Sequence, residues 1–128
     1  MEGGIGHDVL NGGVGNDQFY YGSFSHFGDL IEDFSSDAPG NDDRILIAYS
    51  MIDPQSVIDI DGSGAIVKAC FQSSSSAVAA NKSVRFIYDE DNGRLYYDLD
   101  GNKSQFRPLL LAEFADAPRL TALDFFVV

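Results

Sequence analysis

Residues 3–11 read Gly-Gly-Ile-Gly-His-Asp-Val-Leu-Asn, and residues 12–20 read Gly-Gly-Val-Gly-Asn-Asp-Gln-Phe-Tyr. Aligned at a period of nine, the two segments share Gly-Gly-x-Gly-x-Asp, followed two places later by an apolar residue, Leu10 or Phe19. No feature constrains the fold more, because a tandem repeat makes each unit a copy of one local structure. Glycines at the first, second and fourth places permit positive φ and let main-chain carbonyls turn inward together. The aspartate adds a carboxylate oxygen, and the residues after it can start a short strand. The unit therefore reads as a six-residue turn followed by a three-residue strand. Carbonyls plus carboxylate form the hard oxygen set that calcium takes, with six to eight ligands. No cluster of Cys and His suggests zinc.

Two nonapeptides make one coil of about 18 residues with turns on opposite sides, so Asp8 and Asp17 are not expected to share an ion. Each ion is expected between turns stacked on the same side, roughly 5 Å apart as strands stack. Turn 3–8 is expected against residues 21–26, where the repeat decays and His26 takes the aspartate's place; Asp29 is the candidate substitute. Turn 12–17 is expected near residues 30–35 and the acidic loop beyond.

Charge distribution agrees with a need for cations. Of 20 acidic residues, nine lie in residues 1–43, where there is no Lys or Arg; Arg44 is the first base. Eight of the 13 glycines precede residue 29. Repulsion and glycine entropy oppose ordering of such a segment unless counterions complete it. The net charge of −12 excludes the basic footprint of a nucleic-acid binder and disfavours anionic lipid. No apolar run is long enough to span a membrane, so no membrane insertion is expected. Residues 1–4 lack the basic and apolar regions of a signal peptide. One cysteine, Cys70, cannot form an internal disulfide and reads as a small buried hydrophobe.

Downstream, Arg44-Ile45-Leu46-Ile47-Ala48 reads as an apolar strand, and residues 56–60 and 64–71 as two more around a turn at 61–64. Residues 73–82 read as a loop. Residues 84–88 and 94–98 flank Asp89-Glu90-Asp91-Asn92-Gly93, a hairpin signal with Asn-Gly at its tip. Residues 107–114 are open between a helix begun at Pro108 and a buried strand. The run Phe125-Phe126-Val127-Val128 reads as a strand.

The tandem nonapeptides resemble the C-terminal end of repeats-in-toxin (RTX) proteins, a secreted calcium-binding class. Asp29-x-Ile31-x-Asp33-Phe34, then Asp43-x-Ile45, resembles the segment that closes the roll in RTX metalloproteases and related exoproteins. Phe86-x-Tyr88, Asp91-x-Gly93, Leu95-Tyr96-Tyr97-Asp98 and Asp100-Gly101 resemble the hairpin that follows the repeats in many such chains. Asp124-Phe125-Phe126-Val127-Val128 is similar to the uncleaved C-terminal signal of type I secretion substrates.

The resemblance implies an all-β chain: a short right-handed parallel β-roll with its closing loop over residues 1–43, capped by a mostly antiparallel β region over residues 44–128. It implies folding on calcium outside the cell and export through a type I channel, as a secreted monomer. The ligands it carries over are Gly4, Gly6 and Asp8 in the first turn, Gly13, Gly15 and Asp17 in the second, then Asp29 and Asp33 from the closing segment. The abrupt start at a repeat suggests a fragment.

Several residues also have plainer readings. Asp98, Asp100 and Asn102 echo a calcium loop, but Leu109 stands where the twelfth-position glutamate is needed, so a plain turn is expected. His7 and His26 read as solvent-facing or bonded to backbone. There is no His-Glu-x-x-His and no Gly-x-Ser-x-Gly, and the chain is read as non-catalytic. The alternatives are a surface adhesin or carbohydrate-binding module, or the accessory tail of an absent serralysin-like protease or lipase. The pairs Tyr20-Tyr21 and Tyr96-Tyr97 read as sheet surface before sugar platform.

Overall fold

The computed structural model describes residues 3–23, 26–35, 42–48, 66, 70–74, 84–98 and 109–128. The fold is all-β. Its strands are β1 (Val9–Leu10), β2 (Gln18–Tyr21), β3 (Asp29–Ile31), β4 (Arg44–Ile47), β5 (Phe71–Ser74), β6 (Phe86–Asp89), β7 (Arg94–Tyr97), β8 (Leu109–Phe114) and β9 (Phe125–Val127). A 3-10 turn, Ala122–Asp124, precedes β9. There is no α-helix among the described residues.

The strands form a six-stranded sheet, in the order β1-β3-β8-β7-β6-β5, and a three-stranded sheet, in the order β2-β4-β9. Consecutive strands β1 to β4 alternate between the two sheets. β1 pairs in parallel with β3 and β2 in parallel with β4. The chain thus passes twice between the sheets, and β8 and β9 supply a third pass. β8 adds in parallel to β3 and β9 in parallel to β4.

This placement departs from the sequence reading. The region beyond residue 43 is mixed: only β6–β7 and β7–β8 are antiparallel, while β4, β5 and β9 pair in parallel. The apolar run 109–114 is the buried strand rather than the helix. Residues 73 and 74 belong to β5 rather than a loop. The expected strand at 56–60, the turns at 61–64 and 99–102, and residues 75–82 of the expected loop 73–82 lie outside the described residues.

Period-two patterning explains the burial. β2, β4 and β7 each run exposed, buried, half-buried, buried, as side chains alternate across a strand. The register aligns Phe19 with Ile45 and Ile45 with Phe125, making one inward row across the smaller sheet. Leu10, Ile31 and Phe114 make the matching row in the larger one. Both rows belong to one core, which runs across residue 43. Aromatic edges lock it, with Phe34 against Phe114 at 5.0 Å between ring centroids and Tyr21 against Phe27 at 5.9 Å. The tyrosine pairs split: Tyr21 and Tyr97 are in the core, while Tyr20 and Tyr96 are half-buried. Cys70 is buried, as expected of a small hydrophobe.

The Asp-Asn-Gly signal does form a hairpin. Asp89 pairs with Arg94, and Asp89 accepts the Asp91 N–H at 3.0 Å through its carboxylate and the Gly93 N–H at 2.9 Å through its carbonyl. Gly93 has φ +75°, and a Cβ there would run into the Phe114 carbonyl. Only glycine satisfies both conditions.

Candidate functional site

Four tripeptides share one pattern, Asp8-x-Leu10, Asp17-x-Phe19, Asp29-x-Ile31 and Asp43-x-Ile45, and they lead into β1, β2, β3 and β4. The apolar member of each points into the core. Two residues earlier on an extended chain, the aspartate faces the same way. A carboxylate is therefore carried inward at the mouth of each strand, where the turn meets the core. Asp29 and Asp43 are fully buried.

Parallel stacking brings these aspartates together in pairs. The Asp8 N–H donates to Asp29 Oδ1 at 2.9 Å, across 21 residues. The Asp17 N–H donates to Asp43 Oδ1 at 2.8 Å, across 26 residues. Both steps exceed the roughly 18 residues that two nonapeptides predict. The extra length lies in the chain between β2 and β3 and between β3 and β4. His26 sits within the first extension, its N–H bonded to the Ser23 carbonyl at 3.0 Å, and Asp29 takes the place opposite Asp8.

The oxygens left over define the site. Oδ2 of Asp8, of Asp17 and of Asp29 is buried and has no hydrogen-bond partner among the described residues. A Cβ on Gly3 would lie 2.8 Å from Asp8 Oδ2 and 2.9 Å from Asp29 Oδ2, so both oxygens converge beside that glycine. At Gly12 a Cβ would lie 2.5 Å from Asp17 Oδ2. The first glycine of each repeat is thus required by the carboxylate packed against it. The second and fourth are required by conformation, with φ +79° at Gly4 and +106° at Gly6, matched by +81° at Gly13 and +113° at Gly15. The two turns are conformational copies.

Asp33 has a different position. Its Oδ1 accepts the Gly12 N–H at 3.0 Å and its Oδ2 the Gly13 N–H at 2.6 Å, so both oxygens anchor the start of the second turn. Asp43 was absent from the candidate ligands inferred from sequence, yet it is the residue opposite Asp17. Its Oδ2 accepts the Ser35 N–H at 3.0 Å. The signal that could have found it is Asp43-x-Ile45, which repeats Asp29-x-Ile31. His7 is exposed, with Nδ1 3.1 Å from the Gly28 carbonyl. Asp98 is buried, and its N–H donates to the Arg85 carbonyl at 2.7 Å.

Among the described residues no three His, Cys, Asp or Glu side chains gather as a metal site. The carboxylates come in pairs, and further ligands to a cation held there would be main-chain oxygens. Orphaned buried oxygens beside glycine turns fit a hard cation of that kind.

Electrostatics adds to this. Burial raises the pKa of Asp29 above the ordinary aspartate value; the Asp8 N–H opposes the rise and the Asp8 charge adds to it. Burial likewise raises Asp43, opposed by the Asp17 and Ser35 N–H groups and reinforced by the charges of Asp17 and Asp33. The Tyr21 phenol is held far above its usual range by burial and by the adjacent Asp29 charge.

Between the ordinary aspartate pKa and the raised one, the folded chain binds protons that the unfolded chain has released, so stability falls as pH rises through that window. In chelator, the sheet signal in circular dichroism is expected to be larger at mildly acidic pH than at neutrality. A sheet signal that grows as pH rises across that window would contradict these raised values.

No protein-family model matches the chain, and no curated protein or solved structure matches it.

Proposed function

We propose that the chain is a non-catalytic calcium-binding module of the repeats-in-toxin kind, secreted and folding on extracellular calcium. In this reading the passes β1–β2 and β3–β4 are the coils of a short right-handed parallel β-roll, and β8–β9 closes it. The observation that carries the reading is the set of buried, unpartnered oxygens on Asp8, Asp17 and Asp29 beside glycine turns.

Asp8 and Asp29 would hold one ion and Asp17 and Asp43 another, with carbonyls of Gly4, Gly6, Gly13 and Gly15 as further ligands. Asp33 would serve by fixing the second turn. A bound divalent ion supplies the positive charge that residues 1–43 lack. Extracellular calcium modules bind with dissociation constants of about 10⁻⁴–10⁻³ M, so such sites stay empty in the cytosol and fill outside. Isothermal calorimetry of the full chain with CaCl2 is expected to count two ions. No heat of binding at millimolar calcium would remove the reading.

The tail, Asp124-Phe125-Phe126-Val127-Val128, would be read by a type I exporter as an uncleaved signal. Residues 84–128 fused to a passenger are expected to direct its export, and removal of residues 125–128 to abolish it. Export that survives the truncation would reject the tail as signal.

A further inference from the structure

The sequence holds six asparagines, and two of them, Asn11 and Asn92, are followed by glycine. That pairing has a chemistry of its own. The glycine N–H gives its proton to a base in the solvent, and the bare nitrogen attacks the asparagine Cγ. The Cγ–Nδ2 bond breaks, Nδ2 takes up one proton and leaves as ammonia, and a succinimide ring remains. Water then opens the ring to aspartate or isoaspartate. Glycine favours the attack because no side chain shields its nitrogen or restricts the backbone. The other four asparagines are followed by Asp or Lys.

The fold holds both pairs in an unreactive form. At the hairpin tip Asn92 is exposed, yet its amide is tied at both ends: Nδ2 donates to Asp89 Oδ2 at 3.1 Å, and Oδ1 accepts the Arg94 N–H at 3.0 Å. The attacking nitrogen is tied as well, the Gly93 N–H donating to the Asp89 carbonyl at 2.9 Å. In the second repeat Asn11 is exposed, and the Gly12 N–H donates to Asp33 Oδ1 at 3.0 Å. The next amide, that of Gly13, donates to Asp33 Oδ2, so the carboxylate grips the turn at two points. A Gly12 nitrogen stripped of its proton there would face the Asp33 charge, which opposes the first step. Asp33 and Asp89 thus serve the two pairs alike, one through its carboxylate and the other through carboxylate and carbonyl.

We propose that Asn11 and Asn92 are deamidation sites that the fold keeps closed, Asp33 guarding the first and Asp89 the second. The inference needs only the folded turns and stands apart from the calcium reading. Reaction of the folded chain passes through a locally opened turn, so its rate follows the open fraction. A hydrogen bond favours the closed form by a factor of about five. Three of them slow Asn92 by about a hundredfold, and two slow Asn11 by about twenty-five-fold. A chain kept open accumulates the change at both places. At Asn11, isoaspartate adds one main-chain carbon to the nine-residue repeat and a negative charge beside Asp33. The modified fraction is then a record of time spent unfolded.

The test incubates the full chain in CaCl2 at mildly alkaline pH, with and without enough urea to abolish the sheet signal, and maps its peptides by mass spectrometry over time. In urea both asparagines are expected to convert. In the folded wild type Asn92 is expected to convert about a hundredfold more slowly and Asn11 about twenty-five-fold more slowly. In Asp33→Ala that keeps its sheet signal, Asn11 speeds up by about tenfold or more and Asn92 is unchanged. In Asp89→Ala, Asn92 speeds up by about fivefold and Asn11 is unchanged. That selectivity separates guarding from general loosening, which speeds both sites. Equal rates in the wild type with and without urea overturn the proposal, however the variants fold. A folded variant that speeds both sites alike overturns the roles of Asp33 and Asp89.

Discussion

Placed in chelator at neutral pH, the chain is expected to lose most of its sheet signal in circular dichroism and to regain it in millimolar calcium. The size of the effect comes from charge. Residues 1–43 hold nine acids and no Lys or Arg, and the fold buries Asp29 and Asp43 completely. An uncompensated buried carboxylate costs several kcal/mol, against a total stability of about 5–15 kcal/mol for an ordinary domain. Amide hydrogen bonds offset part of that cost at both groups, but the carboxylates of Asp8 and Asp17 beside them add like-charge repulsion, and the sum is large against so small a total. Protonation relieves part of the cost in acid, and a bound cation relieves it without protonation. Each site filled tenfold above its dissociation constant contributes roughly 1.4 kcal/mol by mass action. Removal of repulsion adds to that. A sheet signal that is full and unchanged in chelator would sink the folding switch.

Phe125→Ala is expected to destabilise the calcium-loaded chain by about 3–5 kcal/mol, read by urea denaturation. Phe125 is fully buried, stacks on Phe86 at 5.5 Å and packs on Phe71 at 5.3 Å. Its carbonyl accepts the Ile66 N–H at 3.1 Å, and its register partner is Ile45. Truncation removes the side chain at which the smaller sheet and the strands β5 and β6 meet. Leu123→Ala is the control. Leu123 is 69% exposed, and its loss should cost no more than about 0.5 kcal/mol. Equal losses in the two variants would refute the packing assigned to β9.

What the sequence disclosed was local. The Asp-x-apolar tripeptides, the glycine turns and the Asn-Gly hairpin each state their conformation within a few residues, and the aspartates fall where period-two patterning puts them. Asp29 opposite Asp8 was accessible for the same reason, since only one aspartate stands near the expected step. Register between passes was less accessible. The steps of 21 and 26 residues depend on how many residues separate β2 from β3 and β3 from β4, and nothing local fixes that number. Asp43 was overlooked as the partner of Asp17 for this reason, with Asp33 lying nearer the expected step. The parallel docking of β8 and β9 was hidden more deeply. An apolar run such as Leu109-Leu110-Leu111 suits either sheet edge and either direction, and its partner β3 lies far upstream.

The pairing of Ile45 with Phe125 sets a clock on maturation. A chain emerging from the ribosome, or from any pore, cannot complete the smaller sheet until it is out through Val127. The middle strand β4 would wait with one edge bare while some eighty residues follow it. Long-range closure of this kind is slow compared with hairpin formation. Assembly of the smaller sheet is therefore tied to the arrival of residues 125–127 rather than to the gradual appearance of the strands before them.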